Sequence, residues 1–299
     1  MSQIDYINTD CFKYFEKLEN NSIDLIVTDP PYGISFDASN HMDNVDWDKM
    51  ADHEYEEFLD KLLAECKRVL KPTGTMWMFY GITKIESVIK CINRSGLYNH
   101  WENAMVYCRP KGRGATHKLK SQREEIVHLT KDPKNYTWNS VEYLREVIVP
   151  YVKDGKARGW ALDQSTGMRV RWTGIGNVSF FTPPAYNNVG EKQIHSCQKP
   201  ILLFTELIML SSKKGEKVFD PFMGSGSSGV AAKLCDRDYI GCELETDMFQ
   251  KASDWLKEVK NPNSRVAKKL EEYIKKHASS NEKGFRFGFD SRLILPKKC

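Results

Sequence analysis

Asp29, Pro30, Pro31 and Tyr32 set a carboxylate, two backbone-stiffening rings and an aromatic side chain directly behind the apolar run "SIDLIVTD" (22–29). Pro30 fixes its own φ at about −65°, and Pro31 biases Pro30 toward extended backbone. Asp29 and Tyr32 are therefore held in a set relation. One chemistry needs that arrangement. An exocyclic amine on a nucleobase is a poor nucleophile because its lone pair is delocalised into the ring. If Asp29 and the Pro30 carbonyl each accept one N–H bond, the nitrogen is drawn toward a tetrahedral shape and its lone pair can face an electrophilic methyl group. Tyr32 would stack on the base and hold its plane. For a base in duplex DNA the nucleotide must first be flipped out, at a cost of a few kcal/mol, and positioning then supplies most of the rate. The plainer reading, a strand terminator with a structural aromatic, stays open for the tetrapeptide alone.

A second constellation is "VFDPFMGSGSSG" (218–229), with Gly224, Gly226 and Gly229 spaced G-x-G-x-x-G between a strand and a helix. Small residues there let backbone approach a ligand, and the free N–H groups of a helix start favour negative charge. Glu243 closes the next strand, where a carboxylate can accept from both hydroxyls of a ribose. Glycine alone is needed in many tight turns; with the acid, a nucleoside ligand is the better reading. A dinucleotide and S-adenosylmethionine both fit. Asp220 at the strand end would repel a pyrophosphate but accept from the ammonium of a methionine moiety, which favours S-adenosylmethionine.

The elements that must position these residues alternate strand and helix. The run 22–29 is a strand of the kind buried on both faces of a parallel sheet, followed by a polar loop, 33–51, that with Trp47 and Asp48 is a candidate lid over the target base, Trp47 being equally a candidate anchor of the loop to the core. Residues 53–71 form a helix with Phe58, Leu62, Cys66, Val69 and Leu70 on one stripe, and 72–81 turn into a buried strand. A helix follows with Ile85, Val88, Ile89 and Ile92 on one face and Gly96 as its stop, then strands at 101–108 and 123–130. Between 131 and 195 aromatic residues mix with Gly, Asn, Thr, Arg and Pro and no helical period survives, as in an inserted recognition region that does not continue the sheet. The alternation resumes with a helix at 199–212, strand 217–220, helix 227–235, strand 239–244 and helix 248–259. A further helix is expected over 264–279, with Val266, Leu270, Tyr273 and Ile274 as its apolar face; the end of the chain has no clear period.

Composition bounds the partners. The chain has 299 residues, 40% of them hydrophobic, enough for one large α/β domain with insertions. Its most apolar run, "ILLFTELIML" (201–210), is too short and too polar to span a bilayer, and no secretory signal opens the sequence, so the cytosol is the expected location. Eight scattered cysteines show no metal or redox spacing and read as reduced thiols. Net charge is +4, yet residues 257–299 hold twelve Lys/Arg against five Asp/Glu, and "CRPKGRGATHKLKSQR" (108–123) holds six Lys/Arg and no acid. Arg109, Lys111, Arg113, Lys118, Lys120 and Arg123 are candidate phosphate partners.

Taken together the motifs resemble a family, the S-adenosylmethionine-dependent DNA amino-methyltransferases acting on adenine N6 or cytosine N4. "TDPPY" is similar to their catalytic motif, and "DPFMGSGSSGVAA" with "YIGCELETDMF" to their cofactor motif. The catalytic motif comes first, as in the circularly permuted beta class. "INTDCF" (7–12) resembles the segment whose acid binds the cofactor's adenine amino group, and "HSCQKPILLF" (195–204) the stretch before the cofactor strand, matching best at Gln198, Lys199 and Pro200. In the two places after the histidine, where Ser196 and Cys197 stand and the family often has proline or a hydroxyl residue, Cys197 departs, and 261–299 matches nothing in the family. The resemblance implies Asp29, Pro30 and Tyr32 as catalytic, and Asp10, Cys11, Asp29, Lys199, Asp220, Phe222, Gly224, Ser225, Gly226 and Glu243 as cofactor-binding.

The expected fold is α/β, a Rossmann-like doubly wound, mostly parallel sheet. A catalytic half at 1–130, a target-recognition insertion at 131–195, a cofactor-binding half at 196–260 and a basic extension at 261–299 divide the chain. The leading aspartate of the tetrapeptide is more typical of adenine N6 enzymes, so adenine in double-stranded DNA is the expected target and cytosine N4 the runner-up. A nucleic-acid-binding protein that lost catalysis would keep the basic segments but not need Asp29, Tyr32, Gly224, Gly226 and Glu243. A nicotinamide oxidoreductase would leave Asp29 through Tyr32 unexplained. A second copy of the chain and a cognate restriction endonuclease are candidate partners; no metal is expected.

Overall fold

The apolar runs become strands and the amphipathic stretches become helices laid on both faces of one sheet. A computed structural model describes residues 2–34, 48–113, 117, 119, 121–139, 142–146, 152–153, 156–157, 161–162, 169–180, 193–195, 197–261, 263, 268, 278–281 and 284–288. In chain order the elements are β1 (Ile4–Asn8), α1 (Cys11–Phe15), β2 (Ile23–Thr28), α2 (Asp52–Val69), β3 (Leu70–Tyr80), α3 (Ile85–Ser95), β4 (Tyr98–Asn99), β5 (Met105–Arg113) and β6 (Ser121–Thr130). Then come β7 (Glu142–Glu146), β8 (Val152–Lys153), β9 (Lys156–Ala157), β10 (Ala161–Leu162), β11 (Arg169–Gly174) and β12 (Val178–Phe180). The last are α4 (Ile201–Ser211), β13 (Lys217–Asp220), α5 (Ser227–Leu234), β14 (Asp238–Glu243), α6 (Thr246–Lys260), β15 (Ala278–Asn281) and β16 (Gly284–Gly288).

The main sheet runs β1-β14-β13-β2-β3-β6-β5-β12, with β4 beside β6. From β1 to β3 every pair is parallel; β6 is antiparallel to its neighbours. The pairing of β13 with β2, Val218 opposite Leu25 and Phe219 opposite Ile26, joins the two halves of the sequence. It puts the ends of both strands, and with them Asp220 and Asp29, on one edge of the sheet, where open α/β sheets bind ligands.

Period-two alternation divides the core. Leu25 and Val27 of β2 and Trp77 and Phe79 of β3 face a layer containing Leu207 of α4, Val230 of α5 and Trp255 of α6. Ile26, Met76 and Met78 face the opposite way, onto Phe15 of α1, Leu59 and Leu62 of α2, and Val88 of α3. Each large apolar side chain so buried contributes about 1.5–3 kcal/mol.

Several local expectations shift. The buried face of α2 is Tyr55, Leu59, Leu62, Leu63, Cys66 and Val69, while Phe58 is left partly buried at its margin and Leu70 already belongs to β3. Ile85 is 40% exposed, because α3 turns Val88, Cys91 and Ile92 inward instead. Gly96 closes α3 in the left-handed region at φ 67°, as its position implied.

The segment 131–195 does not stand clear of the sheet. β12 rejoins it parallel to β5, Val178 opposite Val106. Tyr136 packs on His100 and Trp138 on His128, which itself stacks on Trp77 at 4.3 Å. Asn139 Nδ2 donates to Met209 O at 2.7 Å and to Ser212 O at 2.8 Å, capping the open carbonyls of α4. Farther along, β7, β10 and β11 build a second sheet in the order β10-β11-β7-β16-β15. The C-terminal extension thus supplies two strands, β16 running parallel to β7. Apart from Lys268 and the start of β15, the helix expected over 264–279 lies outside the described residues. No helix among the described residues is long and apolar enough to cross a membrane.

Candidate active site

The turn after β2 is held by a residue from the far end of its loop. Asp48, 2% exposed, accepts from Tyr32 N and Gly33 N at 2.8 Å each through Oδ1 and from Ile34 N at 3.3 Å through Oδ2. Three backbone donors on one carboxylate fix the exit of the tetrapeptide more firmly than proline alone. Asp48, placed in a lid by the sequence, is a clamp; Trp47 lies outside the described residues. Gly33 is required here, since its φ is 64° and an added Cβ would come within 2.9 Å of the Tyr55 ring.

Asp29 is engaged at both oxygens. Tyr32 Oη donates to Oδ1 at 2.6 Å, and Lys199 Nζ donates to Oδ2. The same ammonium lies 3.0 Å from Glu124 Oε2 and 5.7 Å from the centre of the Tyr32 ring. Burial pushes the Asp29 carboxyl above the usual carboxylate range; Lys199 opposes this and Glu124 adds to it. Burial alone would push the Lys199 ammonium down, but Asp29 and Glu124 outweigh it and hold the proton on. Lys199, expected at the cofactor, aims its charge at Asp29, the carboxylate expected to be catalytic.

At the glycine turn the three glycines divide the work. Gly226 has φ 78°, and an added Cβ there would meet Tyr6 Oη at 2.6 Å; that hydroxyl donates to Gly226 O at 2.7 Å. Gly229 likewise backs onto Tyr6. Only Gly224, φ 49°, has open space where a Cβ would go. Asp220, 1% exposed, accepts from Phe222 N at 3.0 Å and from Ser228 Oγ at 2.6 Å. Burial nevertheless pushes its carboxyl up to about 7, against those hydrogen bonds. Asp10 caps α1 by accepting from Phe12 N at 2.7 Å. Glu243 accepts from Glu245 N at 2.8 Å, and burial raises its pKa. Cys11 is held neutral, its thiol pushed up to about 12 by burial.

One cavity of about 640 Å³ connects the two constellations, within the range of small-molecule and cofactor sites. Asp10, Cys11, Phe222, Gly224, Ser225, Glu243 and Leu244 line it at one end, and Asp29, Pro30, Tyr32, Lys199, Glu124 and Arg123 at the other, with Asp220 between. Of the candidate catalytic and cofactor residues, Gly226 alone is not on the wall. The open face at Gly224, the buried Asp220 and the carboxylates of Asp10 and Glu243 make this end fit a ligand with a ribose, an amino-bearing base and an ammonium group. Among the basic residues, Arg123 sits on the rim and pairs with Glu125 at 2.9 Å. Arg109, Lys111 and Arg113 are described only as backbone of β5, and Lys118 and Lys120 lie outside the described residues. Glu124 was missed. Two adjacent acids closing a basic run at the head of a strand were its signal.

Comparison with known proteins agrees with this geometry. The family model described as DNA methylase matches residues 23–254. The type II methyltransferase M.HpaI of Haemophilus parainfluenzae is 32% identical over 252 residues, 84% of this chain and 73% of that protein. M.HinfI of Haemophilus influenzae is 29% identical over 282 residues, 87% of this chain and 71% of that one. Among solved structures, the cytosine-N4-specific PvuII DNA methyltransferase superposes with a TM-score of 0.62 at 14% identity, covering 92% of this chain and 93% of that one. The M1.HpyAVI–SAM complex gives 0.56 at 20% identity, covering 86% and 99%. At such identities the likeness speaks to the fold alone.

Proposed function

This chain belongs to the DNA methylase family, and from that premise we propose that it methylates adenine N6 in double-stranded DNA at a specific short sequence. The observation that carries the reading is the single cavity with Asp29, Pro30 and Tyr32 at one end and the Asp220–Glu243 cradle at the other. S-adenosylmethionine, when bound, supplies an electrophilic methyl group. Glu243 suits its ribose, Asp10 its adenine amino group, and Asp220 with the Gly224 backbone its methionine end.

At the other end Asp29 accepts one N–H of the target amine and the Pro30 carbonyl the other, which localises the nitrogen lone pair. Asp29, with a raised pKa, is suited to hold the proton that the amine gives up. Tyr32 adds its ring to the wall against which the base lies. The walls around Asp29 exclude water and keep these hydrogen bonds strong. The aspartate heading the tetrapeptide supports adenine over cytosine. The basic stretch 109–123 suits phosphates, and the second sheet, with strands from 131–195 and the extension, is the candidate reader of sequence. A second copy of the chain and a cognate endonuclease remain its proposed protein partners.

The test is transfer of labelled methyl from S-adenosylmethionine to unmethylated DNA, followed by mapping of the modified base. Wild type should produce N6-methyladenine at one short site, and Asp29→Ala should lose at least about 100-fold in rate while keeping its fold. Detection of N4-methylcytosine alone overturns the base assignment. Cofactor binding without transfer to any DNA overturns the substrate.

A further inference from the structure

Glu124 belongs to none of the motifs that mark the site, yet β6 brings its carboxylate to 3.0 Å from Lys199 Nζ, whose other carboxylate partner is Asp29. The row Asp29, Lys199, Glu124 is shielded, with side chains 21%, 7% and 17% exposed. A second acid beside Asp29 is unfavourable in a shielded place, and neutralising Lys199 needs only one. The row makes sense if the direction of the ammonium matters.

An ammonium has three protons to give. One goes to Asp29, and Cys197 O accepts a second only at a long 3.5 Å, a weak bond that a better placed acceptor can replace; Glu124 holds the ammonium as an ion pair at 3.0 Å. Lys199 also lines the cavity. The wall therefore presents an acceptor, Asp29, and a donor, Lys199, side by side. Adenine and cytosine carry the complementary edge, an amine next to a bare ring nitrogen. Guanine and thymine carry a carbonyl next to an N–H, which would set oxygen against Asp29 and N–H against Lys199.

We propose that Glu124 is a positioning residue for target choice: it holds the Lys199 ammonium beside Asp29, so that Lys199 donates to the ring nitrogen while Asp29 accepts from the amine. This rests on the reading of the protein as an amino-methyltransferase. Its own content is the contact with the ring nitrogen and the dependence of that contact on Glu124. Without Glu124 the ammonium swings wholly onto Asp29, and both readers of the edge fail together.

The experiment uses full-length protein and duplexes bearing the mapped site, with the target either adenine or 1-deazaadenine, in which the ring nitrogen is replaced by C–H. If the mapped base is cytosine, 3-deazacytosine serves the same purpose. Wild type should lose on the order of 30-fold in kcat/KM on the deaza base, the worth of a hydrogen bond from a charged donor. Glu124→Ala should be slower on the natural base and show a deaza penalty below about 5-fold, and Glu124→Asp should restore much of the wild-type penalty. Any electronic effect of the deaza ring is common to all variants, so the difference between penalties isolates the contact. S-adenosylmethionine affinity without DNA should be unchanged in Glu124→Ala. A full wild-type penalty in Glu124→Ala, or loss of cofactor binding with it, overturns the proposal. If wild type methylates no base carrying an amine, the parent reading fails first, and visibly, in the wild-type arm.

Discussion

Replacing Asp220 by asparagine should stabilise the cofactor-free protein at alkaline pH and leave it unchanged in acid. The carboxyl is 1% exposed, and burial raises its pKa from 3.8 to about 7. In the unfolded chain it titrates near its ordinary value. Between about pH 4 and pH 7 the folded state therefore binds more protons than the unfolded state, and stability falls as pH rises through that window. A shift of about three units corresponds to about 4 kcal/mol, lost by pH 8. Asparagine has nothing to ionise. Its carbonyl can accept from Phe222 N, as Asp220 does at 3.0 Å, and its amide can donate to Ser228 Oγ. Urea unfolding of both proteins without cofactor, from pH 4.5 to 8.5, measures the difference in stability at each pH. That difference should grow in favour of Asp220→Asn by about 3 kcal/mol across the range, with most of the change below pH 7.5. A constant difference, or one that grows in favour of wild type, would refute a buried carboxyl held near neutrality. The same carboxyl must ionise to receive an ammonium, so S-adenosylmethionine affinity should weaken below pH 7 in wild type, and Asp220→Asn should bind it poorly at every pH.

Three further outcomes are expected. Asp48→Ala strands the N–H groups of Tyr32, Gly33 and Ile34 and should cost about 2–4 kcal/mol in denaturant unfolding, with a larger fall in kcat than in cofactor affinity. Gly226→Ala forces a side chain into the left-handed region and against Tyr6. It should destabilise by about 1–3 kcal/mol, and pairing it with Tyr6→Ala should recover part of the loss on thermal unfolding. Neutralising the arginines and lysines of 109–123 should weaken DNA binding to every sequence and flatten the slope of log affinity against log salt by about 0.9 for each phosphate that no longer meets a cation; an unchanged slope rules that segment out.

What could be read from the sequence was what local chain geometry decides. Asp29 through Tyr32 and Gly224 through Gly229 announce themselves because a stiff turn and a tight turn each need particular residues within a few positions. The parallel strands around them follow from short apolar runs alternating with amphipathic ones. Contacts set by strand order were hidden. Nothing near Glu124 in sequence says that β6 lies beside β3 and so faces Lys199. Asp48 sat in a polar loop with no period to reveal that its carboxylate folds back on Tyr32. Tyr136 and Trp138 read as recognition aromatics by composition, whereas Tyr136 packs on His100 and Trp138, still 45% exposed, lays its ring against His128 beside the main sheet. Ile85 obeyed the helical stripe and still lies outside, because Cys91 fills the inward face instead.

The hydroxyl of Tyr6 carries a practical consequence. It reaches across 220 positions of sequence to the carbonyl of Gly226, so the first strand serves as a splint for the glycine turn proposed to cradle the cofactor. A shortened chain that begins after β1 would keep Asp10, Asp29, Asp220 and Glu243 and still lose that support, and the damage would register as weak cofactor retention with those carboxylates intact.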